Sequence, residues 1–340
     1  MKKIVIDAFG GDYAPTEVVL GAVQAVNKNK NIHVVISGKE EDIKAQLDTL
    51  KYNKEQISIL NATEVISNNE SATMAIKTKK DSSLVRAFDY AKENDDVIGV
   101  VSAGSTGAVL TGGFMKFGRI KGVYRPALCP VFFTLQGDCV CICDAGANMD
   151  CKPEYLEQFA VMASSYMHIL GIKKPRVAQL NVGTEDHKGD IRAKETFELL
   201  KENKHINFVG NMEARDLMSG EYDVVVADGF AGNVLLKGTE GAMKGLLEVL
   251  KKDIKSSPLS MIGALFMKGT FKRIRSRFDY SKFGGAVLLG CQKLLVKAHG
   301  NSKANSFETC IEQIYSMHEG KLIEKITKSL GKAGLSDADK

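Results

Sequence analysis

The stretch Asp223-Val224-Val225-Val226-Ala227-Asp228-Gly229-Phe230-Ala231-Gly232-Asn233 decides the fold. Val224 to Ala227 run together without polar alternation, so the strand they form is covered on both faces, as in a parallel or mostly parallel sheet. The chain then turns through an acidic, glycine-rich loop, and an amphipathic helical pattern follows from Asn233 to Ile254. Strand, polar loop and helix make the repeating unit of an α/β protein.

The unit recurs along the chain. Short β-branched runs at Ile4 to Ile6, His33 to Ser37, Ile57 to Leu60, Val97 to Ser102, Val131 to Thr134, Val140 to Asp144, Arg176 to Val182 and Ile206 to Val209 read as strands. Helical patterns fill Pro15 to Val26, Ser82 to Glu93, Pro153 to Leu170 and Ala193 to Glu202. Several open with Pro, Ser or Asp, as helix starts do. The expected architecture is a three-layer α/β/α fold around a mostly parallel sheet. With 340 residues and 44% hydrophobic content, the chain can bury a sizeable core. It reads as one domain over residues 1–330, divisible into two lobes, with a polar tail at 331–340.

The 46 basic and 41 acidic residues leave a net charge of +5, a mild surplus that calls for no nucleic-acid partner. The seven cysteines are odd in number, and Cys139, Cys141 and Cys143 alternate with Val140 and Ile142, so they share one strand face. That pattern suits reduced, buried thiols. A zinc site there would need a fourth ligand, and neither a CxxC pair nor a nearby histidine supplies it, so no metal is expected. The apolar run Ile4-Val5-Ile6 is too short for a signal peptide, and no stretch of about 18 apolar residues occurs. A cytoplasmic protein without a membrane span is expected.

The loops after the strands carry the functional signal. They read Asp7-Ala8-Phe9-Gly10-Gly11-Asp12, Ser102-Ala103-Gly104-Ser105-Thr106-Gly107, Asp144-Ala145-Gly146-Ala147-Asn148, Asn181-Val182-Gly183-Thr184 and Asp228-Gly229-Phe230-Ala231-Gly232-Asn233. In open α/β sheets ligands bind where such loops converge, beyond the carboxyl ends of the strands. Glycine lets backbone N–H groups turn toward an anion at a helix start. The first loop lacks GxGxxG, and no GxxxxGK[ST] occurs, so neither a dinucleotide fingerprint nor a P-loop is present. Gly183 to Gly189 nevertheless places Lys188 in an anion-suited loop.

In order and spacing, these segments resemble the bacterial phosphate acyltransferase family of phospholipid synthesis. Arg125-Pro126-Ala127-Leu128, the extension of the third loop to Lys152, Lys188-Gly189, Val234-Leu235, Asp279-Tyr280-Ser281 and Gly284-Gly285-Ala286 share in the resemblance, which runs from residue 7 to about 300. It implies transfer of a fatty acyl group from an acyl carrier protein thioester to inorganic phosphate, giving acyl phosphate for phosphatidic acid synthesis. It also implies a fold like isocitrate and isopropylmalate dehydrogenases, kinship with phosphate acetyltransferases, a homodimer and no cofactor. His187 and Phe9 depart from the family pattern, and a lone loop histidine is expected to face solvent.

Such a reaction asks little acid-base chemistry of the protein. Phosphate is already an anionic nucleophile, and a thiol of pKa about 8.5 leaves readily as thiolate. The site must align phosphate with the thioester carbon and stabilise the tetrahedral oxyanion. Lys188 and Asn233 are the catalytic candidates: Lys188 as an adaptable donor to phosphate or oxyanion, Asn233 as an amide donor or a helix cap. Phosphate and thioester contacts are expected from Asp7, Gly10, Gly11, Ser102, Gly104, Thr106, Gly107, Gly146 and Gly232. Arg125 either clamps phosphate or pairs with an acid. Asp144 and Asp228 either orient a lysine or cap a helix; Asn148 and Lys152 are secondary candidates.

From Ser256 to Phe283, Leu259, Ile262, Phe266, Phe271, Ile274 and Phe278 recur at helical spacing among Lys268, Lys272, Arg273, Arg275 and Arg277. A basic face beside an apolar one suits an anionic membrane surface or the acidic carrier protein, and it equally suits a dimer interface. The acyl phosphate is consumed by a membrane acyltransferase, which favours membrane docking through Leu259, Ile262, Phe266, Lys272 and Arg273. Two other functions fit the pattern less well. One is a metal- and NAD-dependent decarboxylating dehydrogenase with Asp144 and Asp228 converging on the metal; the other is a non-catalytic, membrane-docked organiser of lipid-synthesis enzymes.

Overall fold

The strands place alternate side chains in different cores. In a computed structural model that describes residues 1–67, 69–277 and 283–336, the chain runs β1 (Lys2–Asp7), α1 (Thr16–Lys28), β2 (Ile32–Gly38), α2 (Glu40–Leu47), β3 (Ile57–Asn61), α3 (Ala72–Thr78), α4 (Ser83–Glu93) and β4 (Val97–Ser102). It continues through α5 (Thr106–Phe117), β5 (Ala127–Cys129), β6 (Val131–Phe133), β7 (Cys139–Cys143), α6 (Pro153–Ile169), β8 (Arg176–Asn181), α7 (Ile191–Glu202), β9 (Asn207–Glu213) and β10 (Val224–Val226). Then follow α8 (Gly229–Lys255), α9 (Pro258–Phe266), α10 (Lys268–Arg277), β11 (Ala286–Leu289), β12 (Leu294–Lys297), α11 (Ala304–Glu319) and α12 (Leu322–Lys332).

Two sheets form where the sequence suggests one. The seven-stranded sheet has the order β3-β2-β1-β4-β12-β11-β5, and the five-stranded sheet the order β6-β7-β10-β8-β9. β3, β2, β1, β4 and β12 are parallel, and β11 runs against both its neighbours. In the second sheet only β6 is antiparallel. Five to seven strands of this kind, with helices on both faces, make an α/β fold.

Core composition follows strand periodicity. Ile4 and Ile6 of β1 enter one cluster and Val5 the opposite one. Cys141 and Cys143 of β7 join the same large cluster as Ile4, while Val140 and Ile142 face a third. The large cluster also holds residues of α1, α6, α11 and α12, so one apolar interior touches both sheets. Cys139 is half-buried and the other six cysteines are buried, all as free thiols, as the alternation suggests. Burial pushes their pKa values up, to about 12 for Cys139 and Cys151, which keeps them protonated and unreactive.

Two polar clamps fix the frame. Arg176 donates from its backbone N–H, Nε and Nη2 to the buried carboxylate of Asp223, tying the starts of β8 and β10. Gln313 of α11 donates to the hydroxyl of the fully buried Tyr166 and brackets Gly285 through both its backbone groups. The tail is not wholly free: the Leu335 carbonyl accepts from Gln158, and Leu335 packs on the main core.

Candidate active site

The loop after β7 is built around one carboxylate. Asp144 is fully buried, and its Oδ1 accepts from the backbone N–H groups of Leu128, Gly146 and Ala147. Its Oδ2 accepts from the N–H groups of Ala147 and Asn148 and from Asn148 Nδ2 at 2.6–3.0 Å. Burial pushes the carboxyl pKa up, and these donors hold the ionised form against that push. Asn148 also gives its Nδ2 to the Pro126 carbonyl. Asp144 and Asn148 therefore shape the loop. Neither residue orients a lysine.

Helix α8 packs directly on this loop. Asp228 caps it, accepting from Ala231 N–H at 2.8 Å, so the helix begins four residues before the start that the sequence suggests and Asn233 is not its cap. The other Asp228 oxygen accepts from Arg192 Nη2 at 2.7 Å, an arginine from the start of α7 rather than a lysine. A Cβ on Gly232 would overlap the Asp144 carbonyl oxygen, and one on Gly229 would meet the Asn148 backbone. Glycine at both positions lets the helix start lie against the loop. The Asn233 side chain then rests above Gly146, whose hypothetical Cβ would sit 3.5 Å from Asn233 Nδ2.

The ends of β1 and β4 form a second interlocked unit. Ser102 Oγ donates to Asp7 Oδ2 at 2.7 Å and accepts from Gly104 N–H, while Asp7 Oδ1 accepts from Phe9 N–H. A Cβ on Gly10 would press on Gly104 N and Asp7 Oδ2, and Gly11 holds a φ of +103° that favours glycine. Burial pushes the Asp7 pKa up, against hydrogen bonds from Ser83 and Ser102. Asp7, Gly10, Ser102 and Gly104 thus come together, as a closed support.

Between these units lies a cleft of about 190 Å³ lined by Thr106, Gly146, Asn233, Lys237, Lys297 and His299 with an apolar wall that includes Leu128 and Phe132. Three of the residues singled out from the sequence, Thr106, Gly146 and Asn233, line it together. Thr106 opens α5 one residue after the Ser105 cap, and Gly107 follows it, exposed. Among the described residues the side chains of Thr106, Asn233 and Lys297 form no hydrogen bond or ion pair. Lys237 pairs with Glu240 at 2.9 Å. Burial pushes the pKa values of Lys297 and His299 down; the Lys237 charge lowers both further, and the Lys297 charge lowers that of His299.

Lys297 and His299 are absent from the sequence-derived set. Their signal is the run Leu294-Leu295-Val296 ending in Lys297-Ala298-His299-Gly300, the same strand-to-glycine pattern as the five loops above. Other candidates lie away from the cleft lining. Lys188 is partly exposed, with Glu185 Oε1 3.8 Å from its Nζ. Arg125 is exposed, its guanidinium 6.0 Å from the Tyr155 ring centre, and pairs with no acid among the described residues. His187 is exposed, as expected.

No group of three His, Cys, Asp or Glu side chains among the described residues is placed to hold a metal ion. The carboxylates of Asp144 and Asp228 are taken up by backbone N–H groups and Arg192, which disfavours the dehydrogenase alternative. No described helix is long and apolar enough to cross a membrane. Leu259, Ile262 and Phe266 of α9 are exposed, Phe266 by 88%, and Lys272 and Arg273 follow on exposed positions of α10. Asp279-Tyr280-Ser281, Phe278 and the side chains of Arg275 and Arg277 lie outside the described residues.

The model of the fatty acid synthesis protein family matches residues 2–325. The phosphate acyltransferase of Clostridium tetani is 45% identical over 329 residues, covering 96% of this chain and 98% of that one. Among solved structures, a phosphotransacetylase from Streptococcus pyogenes superposes with a TM-score of 0.60 at 18% identity, over 95% of this chain and 94% of its own. A 4-hydroxythreonine-4-phosphate dehydrogenase from Klebsiella pneumoniae gives 0.51 at 14% identity, over 94% and 100%. At those identities the two structures show a shared fold, while the match in sequence shows more: the chain belongs to the fatty acid synthesis protein family, that of the bacterial phosphate acyltransferases.

Proposed function

We infer that the chain transfers a fatty acyl group from an acyl carrier protein thioester to inorganic phosphate, giving acyl phosphate for phosphatidic acid synthesis. Acyl transfer to phosphate is the reaction of its family. The observation that carries the reading is the convergence of unbonded polar side chains, Thr106 and Asn233, with the start of α5 on one cleft with an apolar wall. Helix starts and unbonded donors attract an oxyanion. The apolar wall suits the acyl end of the thioester.

In the reaction a phosphate oxygen adds to the thioester carbon, the carbonyl electrons move onto oxygen, and collapse expels the carrier thiolate. Asn233 Nδ2 donates to the transient oxyanion, and the N–H groups and hydroxyl at Thr106 and Gly107 hold phosphate. Lys188, on the loop after β8 and outside the cleft lining, and Arg125 are the further phosphate donors of this reading. Asp7, Gly10, Gly11, Ser102, Gly104, Asp144, Gly146, Asn148, Asp228 and Gly232 keep the loops in place. No cofactor enters this scheme.

Further parts of the reading extend beyond the reaction. Residues 1–330 act as one catalytic unit, related to isocitrate and isopropylmalate dehydrogenases, and two copies form a homodimer. Leu259, Ile262 and Phe266, beside Lys272 and Arg273, rest on an anionic membrane near the acyltransferase that consumes the product. The exposure of these apolar side chains supports that placement.

The reaction is tested by mixing the purified chain with acyl carrier thioester, without metal or NAD, and following free thiol. Release that requires phosphate is expected. Thiol release indifferent to phosphate, or dependent on NAD and a divalent metal, would overturn the reading.

A further inference from the structure

β12 runs parallel to β4 with Lys297 opposite Ser102, so Lys297 ends its strand at the same sheet edge as the glycine loops. The Ala298 N–H donates to the Ser102 carbonyl, fixing that edge one residue further on. Lys297 lies on the cleft wall with Thr106 and Asn233, and its side chain has no hydrogen-bond or ion-pair partner among the described residues. An unpaired ammonium is costly to hold away from water unless something anionic joins it. The nearest charges are mixed: Lys237 bears on Lys297 as a like charge, and Glu240 and Asp12 bear on it as opposite ones. Glu240 is already engaged by Lys237 at 2.9 Å.

We propose that the Lys297 ammonium is a principal phosphate-binding group of the cleft, donating to the nucleophile's oxygens while Asn233 faces the thioester carbonyl. The position follows from the strand rather than from a loop. A lysine at a strand end is fixed at its Cα by ladder hydrogen bonds on both sides, here to β4 and β11. That restricts where its Nζ can go and aligns phosphate with the carbon beside Asn233. A phosphate dianion entering the cleft brings an opposite charge that offsets the lowering of the Lys297 pKa by burial, so binding favours the cation that binds it. The proposal rests on the phosphate-acceptor reading, and its test separates the two.

The test compares wild type, Lys297→Met and Lys297→Arg in the thiol-release assay while phosphate and acyl carrier thioester are varied in turn. Methionine keeps most of the length and removes the charge; arginine keeps the charge. A lost charge-assisted hydrogen bond predicts a phosphate KM raised about ten- to a hundredfold in Lys297→Met. The thioester KM should move less than about twofold, and Lys297→Arg should recover part of the phosphate affinity. Melting curves confirm that each variant folds, and phosphate should raise the Tm of wild type more than that of Lys297→Met. An unchanged phosphate KM in folded Lys297→Met overturns the role of Lys297 alone. Phosphate-independent turnover by wild type overturns the acceptor reading and this proposal with it. Should Lys297→Met not fold, Lys297→Gln decides: a phosphate KM within about twofold of wild type in that folded, uncharged variant sinks the proposal.

Discussion

Removing the Asp144 carboxylate should loosen the loop that supports Asn233. Its two oxygens receive four backbone N–H groups, from Leu128, Gly146, Ala147 and Asn148, and the Asn148 amide. In Asp144→Ala all five donors lose their acceptor. A buried donor left unsatisfied costs about 1–3 kcal/mol, and residues 146–148 are only half-buried, so water replaces part of the loss. The variant also avoids desolvating a charge, which offsets some of it. Taking about 1 kcal/mol for each donor, less that offset, gives about 3–5 kcal/mol. At about 2 °C per kcal/mol for a chain of this size, Tm should fall by ~6–10 °C. Asp144→Asn keeps one carbonyl oxygen but turns an NH₂ group toward Asn148 N–H and Nδ2, donor against donor, and should lie between. Differential scanning calorimetry measures both, with kcat/KM followed in the folded protein. A Tm within 2 °C of wild type in Asp144→Ala would refute the claim that this carboxylate organises the loop.

Gly232→Ala should destabilise more than a surface substitution does, by about 2–4 kcal/mol, because its methyl would overlap the Asp144 carbonyl oxygen; urea unfolding reads it, and a neutral result would mean that α8 can shift freely. Asp7 adds a pH dependence. Its folded pKa lies above the ordinary 3.8 because of burial, so the native state holds the proton more tightly than the unfolded chain, and the group's contribution to stability falls as pH rises from 3.8 through the raised value. Asp7→Asn should flatten that part of the Tm-against-pH curve; a curve parallel to wild type would contradict it. Leu259→Glu with Phe266→Glu should abolish flotation with anionic vesicles while leaving thiol release from soluble substrate intact, and unchanged flotation removes α9 from membrane binding.

The sequence made the central strands legible because burial on both faces writes itself as uninterrupted apolar runs, as in Val224 to Val226. Division into two sheets left no such mark, since register and neighbour choice are long-range. β5 and β11 escape because Pro126 and Pro130 flank the one and Gly285 and Gly290 the other, punctuation that reads as loop. α5 escaped for another reason. Gly112 and Gly113 look like a loop, yet a Cβ at either would collide with Phe88 or Leu295, so they mark a helix lying close to its neighbours. Three of the five glycine loops, those after β4, β7 and β10, meet at the cleft. The acids are another matter: the loops suggest Asp7, Asp144 and Asp228 beside ligands, whereas their oxygens accept from backbone N–H groups and from Ser102, Asn148 and Arg192, a partnership invisible without geometry.

That distinction orders the whole site. A side chain whose hydrogen-bonding capacity is filled by the protein stabilises a shape, and one whose capacity is left open beside a cleft is available to a ligand. Asp144, Asn148, Asp228 and Ser102 belong to the first group; Thr106, Asn233 and Lys297 belong to the second. The open groups stand on three different elements, the starts of α5 and α8 and the end of β12, and the filled groups tie two of these to adjoining loops. For a reaction whose nucleophile is already anionic and whose leaving group is a good thiolate, such a division is sufficient. Rate then depends on how tightly phosphate and thioester carbon are aligned, so changes in the filled groups should reach kcat through position, whereas changes in the open groups should reach it through contact.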